Sequence, residues 1–317
     1  MTTIKGRGSV LLMQHRNLAA DERRLRRATD RGEFLRLPIG AYVPAAVWRS
    51  LSPEERHRLA VAAAADKRAS FIASHRSAGA VWGVPSIARP DGLVHARATV
   101  AAGTRTEHGF RKHAVVDIDQ HVTTVEGITV TTLERTVLDI AATESFAEGV
   151  VAADWALAHG VADAGLRAVL DEWAPLRGRA GIEAVLDFAD AASGSAGESL
   201  SRVLMAEGGL PAPILQQAFF DDAGLIGFVD FYWPEFGLIG EFDGFVKYSD
   251  PSMLQGRTPA EVVMLEKVRE DRLRASATSP RVTRWVWPSL QEDGALVSLL
   301  LRAGLRRRSG RIGTIRA

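Results

Sequence analysis

Three short apolar runs, rich in aromatic and β-branched residues, follow one another in the last third of the chain. Such runs, bounded by turn residues, are typical of β-strands. They are Ile214–Phe220, Leu225–Trp233 and Leu238–Phe242, separated by Asp221–Gly224 and Pro234–Gly237. The pattern therefore predicts a three-stranded meander.

Helical signals flank this meander. Ser195 and Glu198 have the spacing of a capping box, which predicts a helix that begins there and ends before Gly208. A charged helix is predicted from about Pro259, and a last strand over Arg281–Trp287. The predicted order is helix, three strands, helix, strand.

The first 60 residues carry twelve Lys or Arg and six Asp or Glu. Their most basic segment is a predicted short helix with Leu25 and Ala28 three residues apart. Apolar alternation around Gly40 predicts two short strands. Two helices followed by a two-stranded ribbon is the order of elements in a winged helix. Such a helix could contact DNA phosphates, or it could be a solvated, arginine-rich helix face. The basic residues proposed to contact DNA are Arg23, Arg24, Arg26, Arg27 and Arg36.

Helices are also predicted within 53–83 and from about 145 to 190, with strand-like segments between 93 and 130. The histidines at 95, 108, 113 and 121 lack the close spacing of metal ligands, which favours a surface or phosphate-contacting role. The small, flexible segment at 191–197 predicts the main domain boundary.

Composition narrows the function classes. The 317 residues are sufficient for about two domains, and 39 Lys and Arg against 38 Asp and Glu leave a net charge of +1. No cysteine occurs, which excludes disulfides, thiolate metal sites and a cysteine nucleophile. No apolar run is long enough for a signal sequence or a membrane span. We therefore expect a cytoplasmic protein without a membrane partner.

Two acids interrupt the apolar strands. If the hairpin turns tightly at Glu235–Phe236, Asp230 lies directly opposite Glu241, and Asp243 points to the same face as Glu241. Carboxylates so close repel one another unless they share a proton or bind a cation. The spacing thus suggests a site for Mg²⁺ or Mn²⁺. The alternatives remain open: a solvated sheet face, a simple turn at Asp243, or a register shifted by one residue.

These elements carry a family resemblance. Val229–Pro234, followed by Gly240–Gly244, resembles the central motif of the PD-(D/E)XK nuclease superfamily, and in particular its Vsr-like endonuclease branch. Glu266–Arg274 and Val282–Trp287 resemble the C-terminal helix and strand of that branch. The resemblance covers roughly residues 195–305 and implies an α-β-β-β-α-β endonuclease-like domain.

The resemblance implies Mg²⁺-dependent phosphodiester hydrolysis, with Asp230 and Glu241 as metal ligands. Glu198 corresponds to an assisting acid of the first helix, although it equally fits the capping box. The third motif position, commonly lysine, is Asp243 here. Lys247 could replace that lysine, contact phosphate or be a solvated loop residue.

The upstream part resembles actinobacterial proteins of AbiEi-type antitoxin architecture. The segments that carry this resemblance are Gly40–Pro44, Ser74–Ala78, Trp82–Pro85 and Thr131–Asp139. We therefore expect an α/β, multi-domain fold. Its predicted parts are a winged helix at 1–60, an antitoxin-like α/β region at 61–190, a Vsr-like domain at 191–305 and a basic tail at 306–317.

Two functions follow from these resemblances. The first is a Mg²⁺- or Mn²⁺-dependent DNA endonuclease delivered to DNA by its N-terminal region. The second is a DNA-binding regulator or antitoxin with a catalytically degenerate nuclease-like domain. DNA is the expected partner in both cases, and a cognate toxin and a homodimer stay open.

Overall fold

The structure is a computed structural model. It describes residues 2–4, 10–12, 18–68, 70–116, 119–173, 178–244, 259–275 and 279–308. Within them the chain is a mixed α/β protein with several small sheets. No helix among the described residues is both long and apolar enough to cross a membrane.

The helices occur along the whole described chain. In order they are α1 (Leu18–Asp30), α2 (Ala45–Ser50), α3 (Pro53–Lys67), α4 (His75–Trp82), α5 (Leu133–Thr143), α6 (Phe146–Ala158), α7 (Asp163–Trp173), α8 (Arg179–Phe188), α9 (Ala196–Glu207), α10 (Pro259–Ala275), α11 (Trp287–Gln291) and α12 (Ala295–Arg302).

The strands form sheets of two to four members. In order they are β1 (Thr2–Ile4), β2 (Val10–Leu12), β3 (Phe34–Arg36), β4 (Tyr42–Pro44), β5 (Val94–Thr99), β6 (Arg105–Glu107), β7 (Phe110–Val115), β8 (Val122–Val125), β9 (Ile128–Thr131), β10 (Ile214–Asp221), β11 (Gly224–Trp233), β12 (Leu238–Phe242) and β13 (Arg281–Trp285).

The chain divides into two compact units. The first comprises residues 1–143 and 161–179, and the second comprises 144–160 and 180–317. The chain therefore passes between the units at 143/144, 160/161 and 179/180, upstream of the boundary predicted at 191–197.

The first unit has one continuous apolar core. Val43 of β4, Val61 of α3, Ala73 and Val130 of β9 are each fully buried in it. Residues before and after position 60 thus share one core. One described helix, α1, precedes the β3–β4 ribbon, whereas two helices were expected, because the described segments before α1 are the short strands β1 and β2.

The predicted helical region at 53–83 is broken into α3 and α4. Ser52 caps α3 in a capping box with Glu55, and Pro53 occupies its first turn. Gly83 ends α4 in the left-handed conformation at φ 85°, which glycine adopts without steric cost.

The second unit contains the predicted meander. β10, β11 and β12 are successive antiparallel neighbours, and β13 pairs parallel to β12. The sheet packs around Phe231, Trp233, Leu238 and Trp285, all nearly inaccessible to solvent. The last strand ends at Trp285, two residues earlier than predicted, because Trp287 starts α11 with a proline in its first turn.

Candidate functional site

The register of β11 and β12 is the one predicted from a tight turn. Phe231 pairs with Gly240, and Trp233 pairs with Leu238. Continued by one residue, this register places Asp230 opposite Glu241. The Phe242 N–H donates a 2.9 Å hydrogen bond to Oδ2 of Asp230, so this carboxylate binds the backbone of β12 at the end of the paired segment.

Glu198 is buried in the first turn of α9, whose N-cap is Ser195. Its backbone N–H donates to Oγ of Ser195, and the Ser195 hydroxyl donates to Oε1 of Glu198 at 2.8 Å. The Gly194 N–H donates to Oε2 at 2.9 Å. The helix N-terminus and these donors stabilise a carboxylate that is only 8% exposed.

The structure also brings Glu198 to Asp230 through a residue that sequence reasoning missed. The Gln216 side-chain amide donates to Oε2 of Glu198 at 3.2 Å and to Oδ1 of Asp230 at 3.4 Å. Gln216 has φ 47°, a conformation that is costly for a residue other than glycine. A polar Gln216 within an apolar strand was the signal available in the sequence.

Glu241 is held differently from the other two acids. Arg284 Nε lies 2.9 Å from its Oε2, and Arg269 Nη1 lies 2.8 Å from its Oε1. Glu241 is 5% exposed, and its neighbour Arg284 sits at the directly paired position on β13. A buried carboxylate with both oxygens bound to guanidinium groups is neutralised by ion pairs within the protein.

The arginine network extends beyond Glu241. Arg284 Nη1 also donates to Oε2 of Glu270 at 2.7 Å, and Arg274 forms a further ion pair with Glu270. Asp243 donates its backbone N–H to the carbonyl of Trp285, and its Oδ2 lies 3.8 Å from Arg284 Nε. Lys247, which was considered as a replacement for the lysine of the third motif position, lies outside the described residues.

This arrangement does not fit a bound divalent cation. Within the described ranges, no three His, Asp or Glu side chains are grouped so that they could hold a metal ion. A cation beside Glu241 would also meet the positive charges of Arg269 and Arg284, which already occupy its two oxygens. The three acids lie in one region of the unit, yet they are paired with protein donors.

The predicted basic helix is α1. Its apolar positions Leu25 and Ala28 are each 5% exposed, as their three-residue spacing indicated. The arginines face solvent, and Arg36 on β3 is exposed as well. The solvent-facing arginines of the helix are Arg23, Arg24, Arg26 and Arg27.

A histidine cluster in the first unit corrects the surface role expected for His95 and His113. His95 is 1% exposed, and its Nδ1 lies 3.2 Å from Nε2 of His113, which stacks on His75 with ring centroids 3.5 Å apart. Strand pairing between β5 and β7 brings these side chains together, which their spacing in the sequence does not reveal.

Burial keeps this cluster neutral. Desolvation lowers the pKa of His113 to about 4, and the same cause lowers that of His57 to about 4. Burial also lowers the pKa values of His75 and His95. The carboxyl of Asp139, 3.7 Å from Nδ1 of His75, has its pKa raised by burial although Arg135 opposes the shift.

Comparison with known proteins gives short or distant matches. No family model matches the chain. It is 40% identical over 86 residues to "Uncharacterized protein MT2308" and to "Uncharacterized protein Rv2248", from two strains of Mycobacterium tuberculosis. The match spans 26% of this chain and 32% of each relative. The crystal structure of the RV2827C protein from Mycobacterium tuberculosis aligns over 64% of this chain and 78% of its own, with a TM-score of 0.35 and 16% identity.

Proposed function

We propose that the chain is a DNA-binding protein of the regulator or antitoxin type, with a nuclease-like domain in its second unit. The observation that carries this proposal is the pairing of Glu241 with Arg269 and Arg284. Both oxygens of a central motif acid serve an internal ion-pair network, and the third motif position is Asp243 in place of lysine.

The order of elements supports a PD-(D/E)XK-like, Vsr-like assignment for this unit. α9, β10, β11, β12, α10 and β13 follow one another as α-β-β-β-α-β, with β12 and β13 parallel. Fold resemblance alone does not establish chemistry, because one fold can host unrelated functions. We therefore infer the function from the ion pairs of Glu241 with Arg269 and Arg284.

DNA binding is supported by the first unit. A short helix presents four arginines to solvent on one side and buries Leu25 and Ala28 on the other. Exposed arginines on a helix can neutralise phosphates, and this term dominates sequence-independent affinity. The β3–β4 ribbon that follows is consistent with a winged-helix arrangement.

A second candidate function is a Mg²⁺- or Mn²⁺-dependent DNA endonuclease. One specific observation favours it: Glu198 and Asp230 share the amide of Gln216, although they are on different elements. Two carboxylates brought this close repel each other, and a bound cation would relieve that repulsion. This candidate requires that Glu241 leave its guanidinium partners.

The test is incubation of supercoiled plasmid with the purified full chain in Mg²⁺, Mn²⁺ or EDTA, beside the Asp230→Ala/Glu241→Ala variant. Gel-shift binding to the same DNA is measured in parallel. We expect salt-sensitive binding without nicking. Metal-dependent nicking that the double variant loses would establish the endonuclease instead, and absence of binding would refute both candidates.

A further inference from the structure

A cavity of about 490 Å³ lies at the turn between β11 and β12. One of its walls is apolar and consists of Pro211, Ile214, Pro234 and Phe236. Trp233, 2% exposed, also lines it and donates its Nε1–H to the carbonyl of Pro211 at 2.9 Å. This wall is therefore held in place before any ligand binds.

A second part of the lining is strongly basic. Arg306, Arg307 and Arg308 follow α12 and are all exposed. The preceding Leu305 is 2% exposed, and the Arg308 N–H donates to the carbonyl of Gly209 at 3.0 Å, so this segment is anchored at both ends. In the part of the chain that the structure describes, no hydrogen bond or ion pair engages the three guanidinium groups.

This combination selects a class of ligand. Small-molecule sites are typically about 300–1,000 Å³, apolar, and provided with a few polar groups that orient the ligand. Proteins that bind single strands combine a basic track for phosphates with flat apolar side chains for bases. A base inside a duplex cannot enter a concave pocket without leaving its stack.

We propose that this cavity binds an unpaired nucleobase of a single-stranded DNA segment, with the flanking phosphates on Arg306, Arg307 and Arg308. The proposal rests on the proposed DNA-binding function and adds a second contact region with its own substrate class. Glu235 is an acid on the rim, and it opposes the attraction of the three arginines for phosphate.

The experiment measures fluorescence anisotropy of a labelled twelve-nucleotide oligothymidylate, and of a duplex of equal length, over a range of salt concentrations. The variant Arg306→Ala/Arg307→Ala is compared with Arg167→Ala/Arg179→Ala, which removes the same charge from exposed ion pairs of the first unit. Losing two phosphate contacts should lower the salt slope for the single strand by about 1.4. We expect affinity for the oligothymidylate to fall about tenfold more than affinity for the duplex.

Two further variants separate stacking from charge. Phe236→Ala should weaken single-strand binding roughly tenfold with an unchanged salt slope, because stacking does not release counterions. Glu235→Gln should strengthen single-strand binding.

The cavity proposal is overturned if Arg306→Ala/Arg307→Ala binds the oligothymidylate like its matched control, or if its affinities for the single strand and the duplex fall equally. Duplex binding by the wild type would still support the DNA-binding proposal in either case. A wild type that binds neither overturns both.

Discussion

Arg284 and Glu241 occupy directly paired positions on two parallel strands, and Arg284 Nε lies 2.9 Å from Oε2 of Glu241. This ion pair sits at the carboxyl end of β12, where Asp230 also accepts a hydrogen bond from the Phe242 N–H. Together with Arg269 it turns a buried acid, expected to be a metal ligand, into part of a protein salt-bridge network. The energetic and functional consequences can be measured separately.

The first prediction concerns stability. Arg284→Ala should lower the free energy of unfolding by about 1–3 kcal/mol, because Glu241 stays buried with one of its two guanidinium partners removed. Urea denaturation followed by tryptophan fluorescence measures the change. Arg274→Ala is the matched control, since its exposed pair with Glu270 is worth at most about 1 kcal/mol. Equal losses in the two variants would show that Glu241 does not depend on Arg284.

The second prediction concerns metal affinity. Arg269→Ala/Arg284→Ala should bind Mn²⁺ at least about tenfold more tightly than the wild type, because two positive charges next to Glu241 are removed. Isothermal titration calorimetry provides the comparison. Adding Asp230→Ala to this background should abolish the gain. Wild-type affinity as high as that of the double variant would contradict the view that the arginines oppose a cation.

The third prediction concerns pH. The lowered pKa values of His57 and His113 mean that the native state binds fewer protons than the unfolded state between pH 6.5 and about 4. Their contribution to stability is therefore complete above pH 6.5 and is lost as the pH falls toward 4, by at most about 3 kcal/mol for His57. Thermal unfolding of the full chain at pH 7.5, 6.0 and 4.5 measures this loss.

The control for this pH prediction uses a solvent-exposed histidine. His57→Gln should flatten the decline in unfolding temperature, whereas His108→Gln should leave it unchanged. Asp139 acts in the opposite sense, because a raised carboxyl pKa adds stability as the pH falls. A His57→Gln variant whose unfolding temperature declines with falling pH as steeply as that of the wild type would contradict a buried, neutral His57.

The fourth prediction concerns the contact between α9 and β12. A Cβ at Gly197 would lie 2.0 Å from the ring of Phe242, so Gly197→Ala should cost roughly 2–4 kcal/mol and displace the neighbouring Glu198. Gly181→Ala in α8 is the matched change, because nothing lies within 4 Å of its new Cβ. It should stabilise the unit by about 0.5–1 kcal/mol through helix propensity. The prediction holds if Gly197→Ala lowers the denaturant midpoint relative to the wild type and Gly181→Ala raises it.

The fifth prediction concerns duplex DNA. Arg24→Ala/Arg27→Ala should weaken duplex binding and lower the salt slope by about 1.8, since each arginine on α1 is proposed to neutralise one phosphate. Fluorescence anisotropy titrations at salt concentrations from about 50 to about 200 mM provide the test. Arg167→Ala/Arg179→Ala should leave the slope unchanged. If both double variants shift the slope alike, α1 has no special role.

Local patterns were sufficient to predict most elements of the second unit. The N-cap at Ser195 and the three apolar runs act over a few residues, so the helix and the strands could be predicted from the sequence. The β11–β12 register followed only on the assumption of a tight turn at Glu235–Phe236, with a shift by one residue left open. The buried face of α1 was equally predictable, because Leu25 and Ala28 have helical spacing.

The tertiary structure alone decided what each acid contacts. Arg284 is 43 residues from Glu241 along the chain, and only the parallel pairing of β13 with β12 brings them together. Gln216 joins Glu198 to Asp230 through a left-handed backbone that no spacing rule indicates. The sequence determined the local elements, because caps, turns and periodicity are short-range. The pairing of charges depends on strand partners and burial, which are long-range properties of the folded chain.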